Sequence, residues 1–122
     1  MFALRRDRGI IVLCYSQSSF PMGSVMQIRE FQKKIEEIYY ERDKARGLAG
    51  TYLWFCEEVG ELTRALNRRE EEGHDLAGEF ADVLAWLSTL ASLTGIDLEK
   101  AAEKYAHGCP SCHGTPCTCS RK

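Results

Sequence analysis

The sequence has no excess of positive charge, no long uncharged run and no even spread of cysteines. It contains 16 Lys and Arg against 18 Asp and Glu, a net charge of −2, so we expect no nucleic-acid polymer as partner. The longest uncharged stretch of the apolar second half, residues 83–96, has 14 residues. A membrane span needs about 20, so we expect no membrane association. Four of the six cysteines lie in the last 14 residues, whereas a secreted disulfide framework would spread them through the fold.

The N-terminal region has no helical period and makes a poor signal peptide. Its apolar run, Ile10–Tyr15, has six residues where a signal sequence needs about 7–15, and no small-residue cleavage site follows. We therefore expect a cytoplasmic protein. We interpret residues 1–25 as a leader outside the working domain, either disordered or upstream of a true start at Met22 or Met26.

The rest of the chain predicts an all-α, four-helix bundle over residues 26–106, followed by a cysteine-rich tail over residues 107–122. Gly47 and Gly50 separate the first two predicted helices, Thr51 is the predicted N-cap of the second, and Asp97 that of the fourth. No segment of residues 26–106 has the pattern of a strand. The four predicted helices span residues 26–45, 51–69, 75–94 and 98–106.

The apolar spacing also predicts which faces are buried. In the first helix the predicted stripe is Ile28, Phe31, Ile35 and Ile38; in the second it is Phe55, Val59, Leu62 and Leu66; in the fourth it is Leu98, Ala101, Ala102 and Tyr105. The third helix is apolar around nearly its whole circumference, so we expect its own bundle or a second subunit to bury it.

Five carboxylates on the second and third helices form the candidate catalytic site. Between Leu76 and Leu87 the apolar third helix carries only Glu79 and Asp82, three residues apart and therefore side by side. Two like charges on a buried helix cost several kcal/mol per ion, by rough estimate, unless a cation or basic partner lies beside them. The second helix adds Glu57, Glu58 and Glu61.

Carboxylates from two neighbouring antiparallel helices can form an oxygen-only site, which Mg²⁺ or Mn²⁺ prefers. Gly60, between the second-helix glutamates, would let a helix or ligand approach closely. The alternative is that the glutamates form a solvated face and that Glu79 and Asp82 pair with arginines. The two motifs together favour the metal site.

The motif Glu57-Glu58-Val59-Gly60-Glu61, followed by Glu79-Phe80-Ala81-Asp82, resembles the E-E-x-x-E and E-x-x-D signature of MazG-type all-α nucleoside triphosphate pyrophosphohydrolases. The resemblance covers about residues 26–106. It implies Mg²⁺-dependent cleavage of a nucleoside triphosphate between the α- and β-phosphates, giving a monophosphate and pyrophosphate. It also implies a homodimer or homotetramer.

By position, the resemblance implies that Glu58, Glu61, Glu79 and Asp82 are metal ligands and that Glu57 binds a further ion or orients water. Related proteins contact phosphates through a basic residue on the last helix, for which Lys104 is the nearest match and Lys100 lies one turn earlier. Four aromatic residues are candidates for stacking on the base, although such residues are more often core: Trp54, Tyr52, Phe31 and Trp86. Cys56 is expected to pack in the core rather than to act as a nucleophile.

The tail places four thiols and a histidine within 11 residues, with glycine and prolines to turn the chain. This composition suits tetrahedral Zn²⁺ in a structural site, in which His113 could replace one sulfur. The alternative is a mobile tail of reduced thiols. The predicted ligands are Cys109, Cys112, Cys117 and Cys119.

Two other functions compete with that of a hydrolase. A carboxylate-bridged di-iron bundle needs Glu-x-x-His motifs, and none of the three histidines follows a glutamate at that spacing. A non-catalytic helical subunit that binds or regulates a partner, with a zinc-stapled tail and structural salt bridges, remains open. It would show no Mg²⁺-dependent turnover.

Overall fold

The computed structural model describes residues 25–120, and those residues form helices without a strand, which confirms the all-α class. They contain three α-helices and one 3₁₀ turn rather than four separate helices. The predicted leader, residues 1–25, lies outside the described residues except for Val25. The elements are α1 (Ile28–Asn67), α2 (Leu76–Leu93), α3 (Leu98–Ala102) and the 3₁₀ turn (Glu103–Tyr105).

The first two predicted helices form one element, α1, that changes direction at Gly47. Gly47 has φ 82° and ψ 170°, a conformation essentially restricted to glycine, and helix resumes directly after it. A one-residue break leaves no loop, so Thr51 is a fully buried interior residue and its prediction as an N-cap is wrong. Gly50 stays helical. A Cβ there would lie 2.9 Å from Cγ of Arg46, so the glycine leaves room for that side chain to fold back.

Helix α2 runs antiparallel to α1 and begins and ends close to the predicted residues. Asp75 caps it, its Oδ1 accepting a hydrogen bond from the Gly78 N–H at 2.9 Å. The C-terminal part of α2 contacts the first half of α1, where the Gln32 side-chain amide donates to Ser92 Oγ at 3.1 Å. By length and composition α2 could cross a membrane, as core helices often can. Here it packs along α1.

The core centres on Trp86 of α2, which is fully buried with Ile35 and Ala85 beside it. The predicted stripe in the second half of α1 is correct for Phe55, which packs against the core, and wrong for Val59 and Leu66, which are 39% and 38% exposed. The buried residues of that half are instead Thr51, Glu58 and Ala65. These lie seven residues apart and so share one face, with the Glu58 carboxylate at its centre. In the predicted stripe of the first helix, Ile35 is buried and Phe31 packs against the core, as predicted. Ile28 and Ile38 are exposed.

Helix α3 is joined to the start of α1 by ion pairs rather than by its apolar side chains. Asp97 caps it as predicted, and Arg29 of α1 bonds to Asp97 at 2.9 Å and to Glu99 at 2.8 Å. The α-helix ends at Ala102, earlier than predicted, because the chain tightens into the 3₁₀ turn. No residue of α3 is buried, so its predicted core face is wrong for the described chain.

Candidate functional site

Three glutamates from α1 and α2 converge in the candidate active site. Glu58 and Glu61, one turn apart on α1, and Glu79 on α2 each place a carboxylate oxygen within 4.8 Å of the others. Glu58 is 1% exposed, and the other two are half-buried. These three residues are called the carboxylate cluster below. The packing of α1 against α2 creates it, because Glu79 lies 18 or more residues further along the chain.

Burial and neighbouring negative charges raise the pKa values of three acidic side chains in and beside the carboxylate cluster. Burial, followed by the charges of Glu61 and Asp82, raises the pKa of Glu58 to about 7. Burial and the charge of Glu61 also raise the pKa of Glu79 and that of Asp82 above their ordinary values. Asp82 is half-buried and close enough to feel this charge, although it is not one of the three converging residues.

Two oxygens of the cluster are buried without a hydrogen-bond partner: Oε2 of Glu58 and Oε2 of Glu79. The indole N–H of Trp86 lies near Glu58 and opposes the rise in its pKa, but it makes no hydrogen bond of ordinary geometry. Buried polar atoms without a partner are rare in folded proteins and each calls for an explanation. Oxygen atoms that converge, carry charge and lack donors fit a hard divalent cation.

Basic side chains surround the outer side of the cluster. An open cavity begins at Glu61 and Glu79, and its lining includes Arg64, Arg68 and His74. Arg64 Nη2 lies 3.5 Å from Glu61 Oε1, and its charge lowers the pKa of Glu79. The cavity therefore has carboxylates at its inner end and two arginines and a histidine around its mouth. Of these, the sequence indicated only Arg64, through its i+3 spacing from Glu61; Arg68 and His74 were missed.

The remaining predicted site residues lie in different settings. Glu57 directly precedes Glu58 in the sequence and is half-buried, but it is not one of the three residues that converge in the carboxylate cluster. Lys104 is exposed in the 3₁₀ turn with Nζ 5.1 Å from the centre of the Tyr105 ring. Trp54 is half-buried and stacks on Trp86, with the ring centres 6.1 Å apart.

Two predictions about aromatic and thiol groups need correction. Trp86 cannot stack on a nucleotide base in this fold, because its side chain is fully buried beneath Arg46, whose guanidinium lies 5.1 Å from the ring centre. Cys56 is exposed rather than packed in the core, because the buried face of α1 is the one that carries Glu58.

A buried polar network next to this core was also missed. Asp43 is 1% exposed; it accepts hydrogen bonds from Arg46 Nη1 at 2.9 Å and from Thr89 Oγ1 of α2 at 3.0 Å. Arg46 in turn covers Trp86. The i+3 spacing of Asp43 and Arg46 was the only signal in the sequence, and such pairs usually lie on solvated faces.

The tail brings its four predicted cysteines together in a second cluster. Atoms Sγ of Cys109, Cys112, Cys117 and Cys119 lie within 4.8 Å of one another, and all four thiols are free. His113, the predicted alternative ligand, is exposed and does not join them; its φ of 57° places it in a turn.

The stretch of chain that carries the carboxylate cluster, together with the first two cysteines of the tail, matches a known protein family. The MazG nucleotide pyrophosphohydrolase domain matches residues 47–113, more than half of the chain and inclusive of the whole carboxylate cluster. Comparison with curated proteins gives no match.

Proposed function

The chain belongs to the MazG nucleotide pyrophosphohydrolase family, and on that premise we propose that it hydrolyses nucleoside triphosphates between the α- and β-phosphates. The products are a nucleoside monophosphate and pyrophosphate. The observation that supports this proposal is the carboxylate cluster, with two buried oxygens that lack a hydrogen-bond partner.

Glu58, Glu61, Glu79 and Asp82 would hold Mg²⁺ or Mn²⁺, since their oxygens are the donors these ions prefer. When bound, such an ion neutralises polyphosphate charge and makes water in its coordination sphere more acidic. Glu58 and Glu79 fix the inner end of the site, because one carboxylate oxygen of each is buried between α1 and α2. Glu57, half-buried and next to Glu58 in the sequence, would orient the attacking water.

The two arginines at the mouth of the cavity would orient the triphosphate of the substrate. Arg64 lies in the last turn of α1 and Arg68 directly follows the helix as its C-cap, and both line the cavity beside Glu61. Arginine presents several N–H donors in a planar fork that matches phosphate oxygens. We assign these two arginines to the phosphates that lie furthest from the cluster. Lys104 is a second candidate for phosphate contact and Trp54 for contact with the base, as predicted from the sequence.

A panel of common ribo- and deoxyribonucleoside triphosphates with Mg²⁺ tests the reaction. Monophosphate and pyrophosphate should form in equal amounts from at least one substrate. The Glu79→Gln variant keeps the shape of the side chain and loses its charge, so it should lose turnover by about 100-fold or more, as expected when a metal ligand is removed. Glu41→Gln, an exposed carboxylate change in the first half of α1, is the matched control and should retain full activity.

Release of orthophosphate alone would identify a different reaction. A folded protein with no Mg²⁺-dependent turnover would favour the alternative, a non-catalytic subunit that binds or regulates a partner. The 3.5 Å approach of Arg64 to Glu61 is the kind of structural ion pair that this alternative requires.

We further propose that the active form is a cytoplasmic homodimer or homotetramer. Large apolar side chains of α2 remain on the surface of the single chain, among them Phe80 at 53% and Leu87 at 41% exposure. An apolar groove joins Leu87 and Leu90 to Leu48 and Tyr52 of α1. The apolar pattern of α2 also makes Trp86 a candidate for a subunit interface. Trp86 is buried within the single chain, so it takes no part in such an interface.

A further inference from the structure

The cysteine tail forms a compact loop with almost no apolar core of its own. Within residues 107–120 every side chain is exposed or half-buried. A loop of this length cannot offset its loss of conformational entropy through hydrophobic burial, so its fold needs another source of stability.

The positions of the four sulfurs identify that source. Cys109 Sγ lies 3.8 Å from Cys119 Sγ, and Cys112 Sγ lies 3.7 Å from Cys117 Sγ. In a tetrahedral zinc site with Zn–S bonds of about 2.3 Å, neighbouring sulfurs lie about 3.8 Å apart. Each pair joins one cysteine from the start of the loop to one from its end, so a single ion bound by all four would hold the first and last turns together.

Backbone groups already support the sulfurs. The Thr118 N–H donates to Cys112 Sγ and the Cys119 N–H donates to Cys117 Sγ, both at 3.4 Å. Hydrogen bonds from backbone N–H groups stabilise thiolate rather than thiol, and thiolate is the form that binds metal. The loop is closed by a hydrogen bond from the Cys109 N–H to the Gly114 carbonyl at 3.1 Å.

Gly108, the residue that precedes the loop, packs closely against it. Gly108 has φ 101°, and a Cβ at this position would lie 2.7 Å from Thr115 Oγ1 and 2.9 Å from the His113 carbonyl oxygen. Only glycine fits here without displacing the residues that turn the chain between Cys112 and Cys117.

We propose that Cys109, Cys112, Cys117 and Cys119 bind one Zn²⁺ in a structural site, separate from the carboxylate cluster. Four sulfur ligands complete a tetrahedral shell and leave no position open for substrate or water. The ion therefore fixes the conformation of residues 109–119 and takes no part in hydrolysis. The two sites select different metals, because one offers only sulfur and the other only oxygen.

Metal analysis of the full-length protein tests the proposal. The protein is purified under reducing conditions, in buffer that is free of other metals and contains added Zn²⁺, and is then desalted. We expect about one zinc per chain in the wild type, the number that a Cys₄ site holds. Cys112→Ser and Cys117→Ser should each retain less than about one tenth of that zinc, because each removes a ligand. The control Cys56→Ser, which changes an exposed thiol on α1, should retain all of it.

Cobalt gives a second readout that does not depend on activity. Co²⁺ added to the reduced, metal-free protein should produce the intense visible bands of a tetrahedral thiolate site, and one equivalent of Zn²⁺ should abolish them. Far-UV circular dichroism should show that the serine variants keep the helices of α1 and α2. Wild-type protein without zinc, or equal zinc in wild type and Cys112→Ser, would overturn the proposal, as would an octahedral cobalt spectrum.

Discussion

Replacement of Glu58 by glutamine should stabilise the protein when no divalent cation is present. The Glu58 carboxyl has its pKa raised to about 7, against 4.5 for an ordinary glutamate, and burial is the largest cause. Below pH 4.5 the group is protonated in the folded and the unfolded chain. Between pH 4.5 and about 7 only the unfolded chain ionises, so wild-type stability falls as the pH rises; above about 7 the loss is complete.

The size of this effect follows from the displacement of the pKa. Each pKa unit corresponds to about 1.4 kcal/mol, so the rise of the Glu58 pKa from 4.5 to about 7 means that its ionisation costs the folded protein about 3–3.5 kcal/mol at about pH 8. Glutamine removes that cost, and Glu58→Gln should be more stable than wild type by this amount at that pH and nearly equal to it at about pH 4.5. For a domain of this size the melting temperature at about pH 8 should rise by about 10 °C.

Urea unfolding, followed by far-UV circular dichroism from about pH 4.5 to about pH 8 without divalent cation, measures this difference. Mg²⁺ at about 100 times its dissociation constant should then stabilise the wild type by about 2.7 kcal/mol and the variant much less. Glu41→Gln is the control, because it removes an exposed carboxylate from the same helix. A wild-type pH dependence in Glu58→Gln, or the same gain in Glu41→Gln, would refute a buried, ionisable Glu58 as the source of the effect.

Three further predictions concern separate parts of the molecule. Arg64→Gln should lower kcat/KM for the triphosphate about 10- to 100-fold, because it removes a charged hydrogen bond, and Arg42→Gln is the exposed control. Unchanged steady-state kinetics in Arg64→Gln would remove Arg64 from the phosphate site. Leu87→Glu should shift the sedimentation coefficient towards that of the monomer, because it places charge in the apolar groove; a wild type that already sediments as a monomer at micromolar concentration contradicts the oligomer. Asp43→Ala should lower the free energy of unfolding by about 2–4 kcal/mol by leaving Arg46 and Thr89 without their partner, and denaturant unfolding that shows less than about 1 kcal/mol would contradict a structural role for Asp43.

Local signals in the sequence predicted both ends of α2 and the start of α3. Asp75 and Asp97 are both N-caps, because a short acidic side chain can accept from the free N–H groups of a first turn. The break at Gly47 was also predicted, but not its length. A glycine pair in the sequence suggests a loop, whereas Gly50 is helical and its missing side chain leaves room for Arg46, which packs over Trp86.

The buried face of α1 was predicted less well, and the reason is functional. Apolar spacing places Val59 and Leu66 in the core, yet the residues that face α2 are Glu58 and its neighbours on the same stripe. Hydrophobic periodicity assumes that buried positions are apolar, so it fails where a helix turns its charged residues inward. The same assumption hid Gln32 and Asp43, since both are buried polar residues whose partners lie on α2 or beyond it.

The bend at Gly47 divides α1 into two segments, and both of them contact α2. A rigid helix of 40 residues would transmit any rotation at its start to the carboxylates near its end. The change of direction at Gly47 lets each segment meet α2 at its own angle: Asp43 of the upstream segment bonds to Thr89, and Glu58 and Glu61 of the downstream segment lie beside Glu79. The family match begins at this same residue. A side chain at position 47 would be strained at a φ of 82°, so we expect substitution there to disturb the angle at which one of the two segments meets α2.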